Sequence, residues 1–166
     1  MSHRRALPLR PRIILLVLLL GIALPGFSVL SQRTKLKSYA NELVASVYLA
    51  RSEAIKRNSR MTLCVAKETV DECESGGSWE QGWMLMDPNE LVIKRYQALS
   101  SGVVLFDLSS TPVDTMTFEP TGVSNTSATF VICQNAPEDG IEEKVVSVTL
   151  TGRTRVETTN DGCSPP

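Results

Sequence analysis

The sequence predicts an α+β fold: a long N-terminal helix, transmembrane in its first half, packed on an antiparallel β-sheet head. Three observations predict it. No charge occurs from Ile13 to Gln32, and IILLVLLLGIAL opens that run without a polar residue. Beyond Gln32, Leu36, Ala40, Leu43, Val47, Ala50 and Ala54 recur at steps of four and three, one stripe of an α-helix. After Asn58 the texture becomes short β-prone runs separated by Gly, Pro, Asn and Asp.

The chain therefore divides into a basic leader (1–12), a membrane half of the helix (13–32), an amphipathic half (33–58) and a β-rich head (59–166). Arg4, Arg5, Arg10 and Arg12 precede the apolar run without any acid, which puts that end in the cytoplasm and the head outside. The rival reading is a secretory signal cleaved near Gly26 to Ser28. The helical pattern continues unbroken through Ser31, which favours a retained anchor of sufficient length to span. Pro25-Gly26 is expected to kink or loosen the helix there. Arg33, Lys35 and Lys37 follow the span and are expected to meet headgroups.

In the head, strands are predicted at Met61 to Ala66, Gly82 to Met86, Leu91 to Leu99 and Val103 to Leu108. Others follow at Met116 to Phe118, Ala128 to Cys133 and Lys144 to Leu150, with a last strand ending near Val156. Lys67 to Ser78 reads as a loop, and Asp87-Pro88-Asn89, Glu119 to Gly122 and Pro137 to Gly140 read as turns. The connections are short and no second long helix is visible. A single sheet or small sandwich against the helix follows.

The 166 residues carry a net charge of −1, which hides an asymmetry. Without the four leader arginines, thirteen basic residues face eighteen acids, so no global basic field exists to attract nucleic acid. Any such contact is local. The only histidine is His3, ahead of the apolar run, so the head lacks the base of the usual catalytic triads. No metalloprotease, P-loop or dinucleotide motif is present. The acidic pairs Asp71/Glu72, Glu138/Asp139 and Glu142/Glu143 sit at turns and read as solvated charge. No enzyme activity, metal or cofactor is expected.

Cys64, Cys73, Cys133 and Cys163 are even in number and contain no CxxC pair, so disulfides are favoured over a zinc site. Three pairings are possible. Cys64–Cys73 with Cys133–Cys163 is favoured because each closes a local loop.

Several stretches together resemble the GspH/FimT group of type IV pilin-like proteins. They are Asn41 to Asn58 (NELVASVYLARSEAIKRN) with Met61 to Cys64, Trp79 to Trp83, Phe118 to Gly122, and Thr129 to Cys133. The resemblance implies a pilin-like fold, with the helix anchored in the bacterial inner membrane, a periplasmic head and other pilin subunits as partners. The family's prepilin peptidase site, a Gly with a Glu five residues into the mature chain, is expected near His3 and Pro8. Neither residue is there.

Thr151-Gly152-Arg153-Thr154-Arg155 resembles the Gly-Arg-x-Arg motif of the FimT branch, which implies weak, sequence-independent DNA binding during natural transformation through a type IV pilus. The chemistry is consistent. Gly152 permits a tight turn, and Arg153 and Arg155 project from one side of an extended segment. Paired guanidiniums suit adjacent phosphates. Thr154, Thr158, Thr159 and Asn160 are candidate neutral contacts, and Lys144 a candidate third cation. The competing readings are arginines tied up by Glu157, Asp161 or the Glu142/Glu143 turn, and a structural minor pilin or type II secretion pseudopilin that primes filaments without DNA. Trp79 and Trp83 are candidate base-stacking residues, with Trp83 expected in the core.

Overall fold

The computed structural model describes residues 9–109, 111–136, 140–160 and 163, with side chains from residue 29 onward. One helix, α1, spans Leu9–Arg57. All six residues of the predicted stripe are buried. Ser46 lies buried among them and satisfies its hydroxyl on the Leu43 carbonyl at 2.7 Å. Asn58, at φ +47°, ends the helix in the left-handed conformation that Asn tolerates, and Ser59 N–H donates to the Ala54 carbonyl at 3.2 Å. Lys56 and Arg57 in the last turn face the negative end of the helix dipole.

Among the described residues no helix is long and apolar enough to cross a membrane. The side chains of 13–28, most of the expected span, lie outside the described residues, as do His3 and Pro8. Arg33 differs from expectation: its Nε donates to the Gly140 carbonyl at 3.0 Å, tying the helix to the head rather than to headgroups.

Among its described residues the head has eight strands: β1 Met61–Val65, β2 Trp83–Met86, β3 Val92–Tyr96, β4 Val103–Asp107, β5 Thr115–Phe118, β6 Ala128–Gln134, β7 Glu143–Val148 and β8 Thr154–Thr159. They form two four-stranded antiparallel sheets, ordered β3-β2-β1-β5 and β4-β6-β7-β8. Phe118, Phe130, Trp83, Leu105 and Ile132 from both sheets join the helix stripe in one core.

Each sheet also buries part of its outer face, which explains the run of consecutive buried residues in β1 and β6. On the first sheet Cys64, Met84 and Met86 are covered by the loop that carries Cys73. On the second, Val104, Val131 and Cys133 lie under Cys163. The Cys64–Cys73 and Cys133–Cys163 disulfides pin these covers.

Trp79 lies in a 3₁₀ turn, Trp79–Gln81, between the predicted loop ending at Ser78 and the strand predicted from Gly82. Ser78 and Gln81 form its capping box. Trp79 and Trp83 are both buried, with Trp79 Nε1 donating to the Val113 carbonyl at 2.6 Å, so neither is available to stack on bases. Leu150 falls in a turn rather than a strand, and β8 extends three residues past Val156.

Candidate nucleic-acid interface

The sheet order places β8 at an edge, and the β7–β8 hairpin carries the arginine motif at its bend. Gly152 N–H donates to the Thr149 carbonyl at 2.8 Å, and Thr149 N–H donates to the Arg153 carbonyl at 3.0 Å. This is a three-residue bend closed by Gly152 at φ +68°, a conformation that Gly adopts without steric cost. Leu150 also accepts the Ser124 N–H at 2.7 Å, which docks the bend on the segment after β5.

The register decides which side chains share a face. Val148 pairs with Thr154, Ser147 with Arg155 and Val146 with Val156. Val146 and Val148 point into the core, so Thr154 lies on the inner side and Arg155 on the outer. Arg153, opposite Thr149, continues the outer row. The two arginines therefore share a face, while Thr154 and Thr158 face the other way. Arg155 is 79% exposed in its side chain and forms an ion pair with Glu157 at 2.7 Å. Arg153 is exposed, and its guanidinium has no hydrogen-bond or ion-pair partner among the described residues. Of the other anticipated partners, Asp161 lies outside the described residues. Glu142 sits 3.6 Å from Lys144, and Glu143 is buried and accepts from Thr159 rather than lying solvated.

Lys144 is not beside the arginines. It pairs with Thr158, three rungs from Arg155 and on the inner side, about 10 Å along the strand. Its ammonium donates to Thr158 Oγ1 at 2.8 Å. Antiparallel pairing carries Lys144 to the end of the hairpin opposite the bend.

Two features were missed. Arg51 of α1 runs between two glycine turns. A Cβ on Gly122 would lie 2.9 Å from its Nε, and one on Gly152 3.1 Å from its Cδ. That Nε is buried without a hydrogen-bond partner, and no ion pair engages the guanidinium among the described residues. Arg51 thus adds a third positive charge against the bend. The second feature is a set of hydroxyls on the outer face. Thr129 pairs with Ser147, and Ser147 with Arg155, forming one row across three strands. The polar alternation of Ser147 and Thr149 with Val146 and Val148 was visible in the sequence; the partner strand was not.

The sequence profile of the family described as type II transport protein GspH matches residues 39–152. Among solved structures, the type IV minor pilin FimU of Pseudomonas aeruginosa is similar, with 25% identity and a TM-score of 0.59, over 77% of this chain and 92% of that one. The minor pseudopilin EpsH of the Vibrio cholerae type 2 secretion system has 14% identity and a TM-score of 0.54, over 75% and 97% of the two chains. EpsH supports the fold alone. A search of curated protein sequences returned no match.

Proposed function

This chain belongs to the GspH family, and from that premise we propose that it is a minor pilin-like subunit whose head captures extracellular DNA through Arg153 and Arg155, as in the FimT branch. Segment 13–32 anchors it in the bacterial inner membrane, with residues 1–12 cytoplasmic and the head in the periplasm or in a pilus. DNA capture then serves natural transformation.

The observation that carries this reading is the availability of the arginines. One has no partner among the described residues, and the other is held only by an exposed ion pair. Exposed pairs contribute about 0–1 kcal/mol, so a phosphate can displace Glu157. Two phosphate contacts give weak, sequence-independent binding, with dissociation constants of about micromolar or poorer. Capture then depends on several copies along one filament, because linked weak sites multiply in avidity. The test is retardation of labelled duplex DNA by the full chain in neutral detergent, parent against the Arg153→Gln/Arg155→Gln variant. Retardation lost with unchanged thermal unfolding supports the reading; retardation unchanged, or none by the parent, opposes it.

A second reading, a structural minor pilin or pseudopilin that primes assembly without DNA, is favoured by one observation. Tyr48 and Ile55 are each 50% exposed on α1, seven residues apart and so on one helix face. That face suits the helix of a neighbouring subunit. Absence of DNA binding by the parent chain would leave this role.

A further inference from the structure

The outer face of the second sheet holds a shallow cavity of about 480 Å³ beside the arginine pair. Register organises its lining. Thr129 and Ser147 form a row that ends on Arg155. Ser127 and Thr149, also in the lining, continue the ladder by one position, in the row that ends on Arg153. The rows are two residues apart, about 6.6 Å along the strands. From β8 to β6 the shelf extends about 10 Å.

No carboxylate lines this cavity. Asp107, next to β6, is buried and already accepts four hydrogen bonds, from Ser109 N and Oγ, Val113 N and Thr129 N, and Glu157 on β8 is paired with Arg155. The hydroxyls of Ser127, Thr129 and Ser147 have no protein partner among the described residues. A concave surface with three free hydroxyls and no lining carboxylate, bordered by the strand that carries Arg153 and Arg155, suits the sugar-phosphate backbone of nucleic acid. It contains no aromatic face for a base.

We propose that this hydroxyl shelf carries the phosphodiester backbone onward from the Arg153–Arg155 pair, so that one strand crosses β8, β7 and β6 in turn. The proposal rests on the arginine pair being a DNA contact. Its consequence is distinctive. Neutral donors add affinity without releasing counterions, so the shelf contributes a part of binding that salt does not remove.

The experiment is a salt-dependent titration of the full chain in neutral detergent with a fluorescein-labelled duplex. In Thr129→Val/Ser147→Ala, affinity is expected to fall about three- to tenfold with the log–log salt slope unchanged. Ser127 is exposed at the far lip of the shelf, so charge introduced there is accommodated without a core change. Ser127→Lys is expected to steepen the slope by about one, and Ser127→Asp to weaken binding about tenfold. Gln97→Lys and Gln97→Asp, at an exposed position following β3 in the other sheet, control for net charge. If the Ser127 variants match the Gln97 controls and the double hydroxyl variant binds like the parent, the shelf is overturned while the arginine contact stands. If the parent does not bind, both fall.

Discussion

Gly152 sits against the carbonyl oxygen of Gly122 so closely that an added Cβ would lie 3.0 Å from it. The same Cβ would also approach Arg51 Cδ at 3.1 Å, in a backbone conformation, φ +68°, that disfavours any side chain. Two turns from distant parts of the chain thus meet over one helix side chain, and the arginine-bearing bend is held by that contact. Gly152→Ala is expected to lower stability by about 1–2 kcal/mol. It should also weaken DNA binding, because Arg153 shifts with the bend. Urea unfolding of the parent and variant measures the first effect; no change would mean that the bend is not fixed by this packing.

Glu157 competes with phosphate for Arg155. Glu157→Gln removes an exposed ion pair and a like charge, so DNA affinity should rise about two- to threefold, corresponding to roughly 0.5 kcal/mol. Stability should barely change. Weaker DNA binding in this variant would show that Glu157 positions Arg155 instead of restraining it.

The two disulfides close loops of different length, with sequence separations of 9 and 30. Chain entropy gives about 2.5 kcal/mol for the shorter and about 3.5 for the longer. Replacing Cys133 and Cys163 by Ser should therefore cost more than replacing Cys64 and Cys73, and should expose the apolar patch of Val104 and Val131. Differential scanning calorimetry of the two double variants ranks them.

Tyr96 stacks on Trp83 with ring centroids 5.3 Å apart. Burial, and after it the Glu42 carboxylate, push its phenol above the ordinary value of 10.0. The folded state thus retains the proton more tightly than the unfolded chain. The contribution is intact below about pH 10 and is lost as pH rises through the folded value. Urea midpoints of the parent should fall across that range more steeply than those of Tyr96→Phe; parallel curves would refute the assignment.

The helix was legible because its signal is local: six stripe residues at a 3.6 period all reach the core. Most strands were legible for the same reason. What was hidden depends on pairing between distant segments. The separation into two sheets, the burial of Cys64 and Cys133 on outer faces, and the row Thr129–Ser147–Arg155 all arise from register, which single-strand patterns do not contain. The distance between Lys144 and the arginine pair follows from the same pairing. Arg51 escaped notice because it reads as one more solvent-facing charge of an amphipathic helix; only the glycines at 122 and 152 let it lie between two turns.

The central claim is that Arg153 and Arg155 both meet phosphate. The most direct test is the salt dependence of duplex binding by the full chain, parent against Arg153→Gln/Arg155→Gln. The parent should show a log–log slope of about −2 or steeper, and the variant should lose about two units of slope while unfolding at the same temperature. Equal slopes in the two proteins, or no binding by the parent at low salt, would contradict it.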